Sequence, residues 1–154
     1  LANINEKDIV YDLYTGTGTI AQYISGNAKK VIGIDSVEEA IKAAYINAKQ
    51  NSIKNCTFYT GDMKDIFSNE FIKINGKPNI IIVDPPRDGM HKKVVEQILK
   101  IKPKRIIYVS CNSATQARDI SLMKNLYEIN KIQPIDMFPQ THHVENIVAL
   151  ELKS

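Results

Sequence analysis

The chain has 154 residues, enough for one domain that buries a core without disulfide or metal staples. Hydrophobic residues make up 44% and charged residues 24%, and a net charge of +3, from 20 basic against 17 acidic residues, permits an acidic partner such as nucleic acid without arguing for one. The longest apolar runs, such as 80–83, are far too short to cross a bilayer; the N-terminus has neither the basic start nor the apolar core of a signal peptide; and two distant cysteines, Cys56 and Cys111, make neither a disulfide framework nor a metal-ligand spacing and suit a reduced, cytoplasmic setting.

Taken in chain order, short β-rich runs alternate with helical patterns. Residues 9–14 read as a first strand and 20–24 as a short helix ended near Ser25 and Gly26. Residues 31–34 form a second strand. A helix over 38–50 follows, with Ala40, Ala43, Ala44, Asn47 and Ala48 on one face and Asn51 as its stop. Residues 57–59 are a third strand, 64–67 a weak helix, and 75–78 a turn. The run 80–83 is apolar at every position, as a central strand buried on both faces requires. Val94, Val95, Ile98 and Leu99 repeat at helical spacing, 105–109 is a fifth strand, and 114–126 a helix. Residues 127–134 and 146–152 close the chain as a pair of strands joined by the loop 135–145. Alternation at this interval predicts crossover units, a mostly parallel sheet and helices on both faces. In such sheets ligands bind beyond the carboxyl ends of the strands, so residues just after each strand are the candidates.

After the first strand come Gly16 and Gly18, which let the backbone approach a ligand closely and lead into a helix start; the same pair also suits a plain tight turn. The spacing is neither of the common phosphate-binding patterns, which favours a nucleoside over a phosphate. Asp35, at the end of the second strand, can accept both ribose hydroxyls or can cap the next helix. Asp62 can accept from an exocyclic adenine amine with Met63 against a purine face, or can cap its loop. A glycine loop followed by two acidic strand ends suits adenosine, and with no phosphate grip S-adenosyl-L-methionine is a better candidate than a nicotinamide cofactor.

The fourth strand delivers Asp84-Pro85-Pro86-Arg87-Asp88-Gly89, where two prolines hold an acid at the sheet's edge. The fifth ends in Ser110-Cys111-Asn112. A lone cysteine is usually a small buried hydrophobe, and Cys56, beginning a strand, fits that description. Cys111 fits it less well, because it lies between a strand end and a helix start, where a thiolate is favoured. Before the last strand, His142 and His143 precede Val144 and Glu145; adjacent histidines point apart and are poor partners for a metal, so they also suit a polar surface.

Together these residues resemble the RNA uracil-5-methyltransferases that modify tRNA and large-subunit rRNA. The resemblance runs from Asp12 to Leu150. It is carried by Asp84-Pro85-Pro86-Arg87 with Gly89, Ser110-Cys111-Asn112, Ala114-Thr115, Ala117-Arg118-Asp119 and His143-Val144-Glu145, in that order. It implies a Rossmann-like class I methyltransferase fold: α/β, a mostly parallel seven-stranded sheet with helices on both faces and an antiparallel C-terminal strand. It implies S-adenosyl-L-methionine as cofactor, RNA as partner, and no metal in this domain. Cys111 would be the nucleophile and Glu145 the general base. Tyr14, Thr19, Asp35, Asp62 and Asp84 fall on cofactor-contacting positions, with Gly16 and Gly18 as the loop. Thr15 stands where relatives often carry cysteine. The family's N-terminal RNA-binding segments are absent, and Leu1 stands where an initiator Met would be. Residues 1–154 are therefore expected to be the catalytic domain of a longer chain.

Two other functions use the same residues. An amino-group methyltransferase could work from Asp84-Pro85-Pro86, although Arg87 stands where such sites usually place a stacking aromatic ring. A cofactor-binding domain inactive in isolation is the other. The basic stretch at His91, Lys92, Lys93, Lys100, Lys102, Lys104 and Arg105 could guide an RNA backbone or be a solvated helix face.

Overall fold

The computed structural model describes residues 1–137, 139–141 and 144–154. Its strands are β1 (Ile9–Leu13), β2 (Lys30–Asp35), β3 (Cys56–Thr60), β4 (Ile80–Val83), β5 (Arg105–Ser110), β6 (Tyr127–Ile135) and β7 (Glu145–Leu152). Its helices are α1 (Thr19–Ser25), α2 (Glu38–Gln50), α3 (Met63–Ile66), α4 (Asn69–Asn75), α5 (Lys92–Ile101) and α6 (Ser113–Met123). The seven strands form one sheet in the order β3-β2-β1-β4-β5-β7-β6. β7 runs antiparallel to both its neighbours, whereas the pairings among β1 to β5 are parallel.

Alternation along the strands divides the interior into two cores. Tyr11, Leu13, Ile32, Ile34, Ile81, Val83, Ile106 and Tyr108 point to one face, where α3, α4, α5 and α6 contribute Met63, Phe71, Val94, Ile98 and Met123. Val10, Val31, Ile80, Ile82 and Ile107 point to the other, against Ala21 and Ile24 of α1 and Ile41, Ala44 and Ala48 of α2. Helices therefore cover both faces, as the alternation predicts. β4 is buried at every residue because it lies mid-sheet between both layers.

Several boundaries differ from the sequence reading. β1 stops at Leu13 because Tyr14 adopts a left-handed conformation, φ 66°, that no strand continues. The buried face of α2 includes Ile41, while Ala40, Ala43 and Asn47 are only half-buried. The segment 64–75 holds two helices rather than one. Ser68 starts the second by accepting a hydrogen bond from the Phe71 N–H at 3.2 Å. α6 ends at Met123, before the predicted 126. At one edge of the sheet β6 is largely exposed, with a bulge between Ile129 and Lys131 and Pro134 near its end.

Candidate active site

β1 to β5 all finish at one edge of the sheet. In register, Leu13 lies beside Ile34 and Val83, Val83 beside Tyr108, and Ser110 beside Asn146. Because β7 is reversed, it begins where the others end, so Glu145 joins that edge as its first residue. Tyr14, Gly16, Gly18, Thr19, Asp35, Asp62, Asp84, Cys111 and Glu145 are thereby brought to one mouth. His142 and His143, also singled out in the sequence, lie outside the described residues.

The loop after β1 is held from both sides. The Gly16 N–H donates to Asp35 Oδ2 at 2.8 Å, and Asp35 Oδ1 accepts from the Val37 N–H at 2.9 Å. Asp35 therefore closes the glycine loop as well as starting the next turn. Gly18 has φ 78°, and a Cβ there would come within 2.9 Å of the Phe58 ring, so the loop demands glycine for both backbone and space. Behind the loop Asp12 is fully buried. Its Oδ2 accepts from Thr15 Oγ1 at 2.6 Å and from the Ala21 N–H at 3.1 Å, while Oδ1, also buried, has no partner among the described residues. Burial, reinforced by the negative charges of Asp84 and Asp35, pushes this carboxyl up to about 7 despite those two hydrogen bonds. The sequence reading passed over Asp12; the available signal was an acid inside an otherwise apolar strand.

A cavity of about 260 Å³ opens beside the loop, lined by Tyr14, Ser36, Asp62, Met63, Pro86 and His91 among others. Asp62 accepts from the Lys64 N–H at 3.2 Å and pairs with Lys64 Nζ at 2.7 Å, and Lys64 holds its carboxyl below the usual range. Met63 is almost wholly buried in the core, with only an edge on the cavity. Thr19, the first residue of α1, is exposed, its hydroxyl 3.4 Å from that of Thr17.

At the other half of the mouth one helix braces three pieces of chain. Asn112 starts α6, its Oδ1 accepting from the Ala114 N–H at 3.1 Å, and its own N–H donates to Ser110 Oγ at 3.0 Å. That turn carries Cys111, half-buried, at its tip. Asn112 Nδ2 and Thr115 Oγ1 both donate to the Arg87 carbonyl, at 3.1 and 2.9 Å, and Arg118 Nη2 donates to the Asp88 carbonyl at 2.8 Å. Asp119, 1% exposed, accepts from the Met90 N–H at 2.7 Å, the Tyr108 hydroxyl at 2.6 Å and the Arg118 guanidinium. Burial and then Asp119 raise the Tyr108 hydroxyl far above its ordinary value. α6 thus shapes the loop that follows Asp84. Its Gln116 reaches the opposite way, to β7 at Asn146. Asp119 entered the sequence analysis only through resemblance and Gln116 not at all, because burial depth is what gives each its role.

Asp84 is exposed, yet its carboxyl is pushed up to about 6, first by burial of its charged group against the protein and then by the negative charge of Glu145. The mouth therefore presents two mutually repelling carboxylates, Asp84 and Glu145. Cys56 belongs elsewhere: it starts β3, and burial pushes its thiol up to about 11. Among the described residues no cluster of His, Cys, Asp and Glu could hold a metal, and no helix is long and apolar enough to cross a membrane.

Known proteins resemble this chain over nearly its whole length. The model of the tRNA (uracil-5-)-methyltransferase family matches residues 1–153. An uncharacterised RNA methyltransferase of Bacteroides thetaiotaomicron is 59% identical over 152 residues, covering 99% of this chain and 34% of that protein. One from Porphyromonas gingivalis is 54% identical over 151 residues, covering 97% and 32%. Among solved structures, Pyrococcus abyssi tRNA (uracil-54, C5)-methyltransferase in complex with S-adenosyl-L-homocysteine superposes with a TM-score of 0.84 at 35% identity, covering 97% of this chain and 36% of that one. An rRNA methylase from Streptococcus thermophilus shares the fold, with a TM-score of 0.77 at 17% identity. The chain spans about a third of the length of the curated relatives it matches.

Proposed function

The chain belongs to the tRNA (uracil-5-)-methyltransferase family, and from that premise we propose that it is the catalytic domain of an enzyme that moves a methyl group from S-adenosyl-L-methionine to carbon 5 of a uridine in RNA, through a covalent bond to Cys111. The observation that carries the reading is the register of β5 against β7. Their ladder reaches Ser110 opposite Asn146, so Cys111 and Glu145 are each one residue beyond it, on neighbouring strands at the ligand-binding edge.

The cofactor suits what the chain presents. A glycine loop with no room for a side chain at Gly18 and a cavity beside Asp62 together fit a nucleoside carrying a short polar tail. Asp35 would take the ribose and Asp62 the adenine amine, with Tyr14, Gly16, Gly18, Thr19 and Asp84 around the remainder. When bound, S-adenosyl-L-methionine supplies an electrophilic methyl on a sulfonium.

Carbon 5 of uracil is too weak a nucleophile to use that methyl unaided. Addition of the Cys111 thiolate to carbon 6 places electron density on carbon 5. Once carbon 5 carries its new substituent, Glu145 removes the proton there, the ring double bond re-forms, and the carbon–sulfur bond breaks to return the thiolate. The target base must leave its stack to reach the mouth. A reducing, cytoplasmic compartment keeps such a thiol free. An amino-group reaction at Asp84-Pro85-Pro86 is less well served, since Arg87 offers no ring to stack on the base.

In the full-length protein, Cys111→Ala should lower methyl transfer by roughly a thousandfold or more while S-adenosyl-L-homocysteine binding by calorimetry persists. RNA containing 5-fluorouridine should trap a denaturant-resistant adduct with the parent protein, because fluorine replaces the proton to be removed. A fully active Cys111→Ala protein would refute the cysteine's role.

A further inference from the structure

Gln116 is a polar side chain in apolar company. It is 1% exposed, with Ala117, Ile120 and Val148 lining the same groove. A buried amide is tolerated only when its hydrogen bonds are satisfied, and a leucine would fill similar volume with no such demand. Every polar group of Gln116 is engaged. Nε2 donates to the Tyr108 carbonyl of β5 at 2.9 Å and to the Asn146 carbonyl of β7 at 3.1 Å, and Oε1 accepts from Asn146 Nδ2 at 2.6 Å. Its backbone N–H donates to the carbonyl of Asn112, next to Cys111. One side chain thus joins the strand that ends at the thiol, the helix that begins after it, and the residue that follows Glu145.

The two reacting groups are not equally supported. The turn bearing Cys111 has its own ties, through Ser110 Oγ and through Asn112 to the Arg87 carbonyl. Among the described residues, Glu145 pairs with Ile135 at the end of the exposed β6, and the ladder to β5 begins at Asn146. The Asn146 amide and carbonyl therefore fasten the base strand to β5 and α6 at the last rung of the β5 ladder, one residue from Glu145.

We propose that Gln116 and Asn146 form a positioning clamp that fixes Glu145 relative to Cys111, so that the pair governs the elimination step rather than the addition step. This rests on the uracil-5 reading and deepens it. In elimination the base takes the proton from carbon 5, that bond's electrons become the carbon 5–carbon 6 double bond, and the carbon 6–sulfur bond breaks with its electrons leaving on Cys111. A misplaced base slows this step and leaves the earlier addition intact.

The test uses the full-length protein, methyl-labelled S-adenosyl-L-methionine, and RNA carrying tritium at uridine carbon 5, prepared from cells that lack 5-methyluridine. Gln116→Leu keeps volume and removes the polar reach; Asn146→Ala, at a half-buried position, serves if the first variant fails to fold. Methyl label should still reach the protein-bound adduct at close to the parental rate. Tritium release and free methylated RNA should slow on the order of tenfold, so that adduct accumulates. A purely structural role would lower methyl transfer and tritium release in parallel, and that result, or parental behaviour of both variants, overturns the clamp while leaving the uracil-5 reading intact. Methylation by the parent protein without any tritium release would overturn the uracil-5 reading, and the clamp with it.

Discussion

In the middle of β1, Asp12 is sealed behind the glycine loop with its carboxyl lifted to about 7 by burial. A carboxyl whose folded value exceeds its ordinary one near 3.8 binds a proton more tightly in the native state than in the unfolded chain. Its contribution to stability is therefore greatest below the ordinary carboxylate range and is lost as pH rises through about 7. Asp12→Asn, which cannot ionise, should gain on the parent by on the order of 2–3 kcal/mol between pH 5 and pH 8, read from urea unfolding at each pH. A pH-independent difference would show that Asp12 stays charged. At this scale the sequence was informative wherever a polar residue stands at the end of a strand or within two residues of it: Asp35, Asp62, Asp84 and Cys111 were all visible that way. Asp12 was not, because only the packing of α1 over β1 decides that an acid within a strand is sealed from water. The contacts of Asp35 were only half foreseen, since its bond to the Gly16 N–H spans 19 residues.

Among the elements, α6 touches three separate parts of the mouth: the loop after β4, the turn at Cys111 and the start of β7. The loop after β4 folds against it at Gly89, where φ is 80° and an added Cβ would lie 2.6 Å from both Arg118 Nη2 and Asp119 Oδ2. Gly89→Ala should therefore destabilise the protein by about 1–3 kcal/mol in urea unfolding and speed exchange of the Met90 amide, whose acceptor is Asp119. Unchanged exchange at Met90 would mean that the loop does not depend on this close approach. The extents of α2 and β4 were legible to the residue. α2 has a long periodic pattern with acids in its first turn, and β4 is apolar throughout. α4 was missed because a seven-residue helix owes little to periodicity and much to the Ser68 cap and to Phe71, which packs edge-on against Tyr11 and Tyr59.

For the molecule as a whole, alternation of strand and helix sufficed to predict a parallel sheet with its ligand edge. The insertion of β7 between β5 and β6 was not readable, because strand neighbours are chosen by pairing across long stretches of chain. That insertion is what brings Glu145 to the mouth. A net charge of +3 gives little long-range pull on a phosphate backbone. These 154 residues expressed alone should therefore bind S-adenosyl-L-homocysteine in calorimetry but methylate RNA roughly a hundredfold or more slowly than a full-length relative. Equal rates would show that RNA selection resides in this part of the chain. The exposed margin at β6 has a separate consequence. Its outer backbone groups form an open template for another strand, and the chain interrupts that template with a bulge between Ile129 and Lys131, the lysine's charge, and a proline at 134 that has no N–H to offer. Substitutions that straightened that margin and removed its charge would leave a flat, unprotected strand, the kind of surface on which strands of other copies stack into fibres.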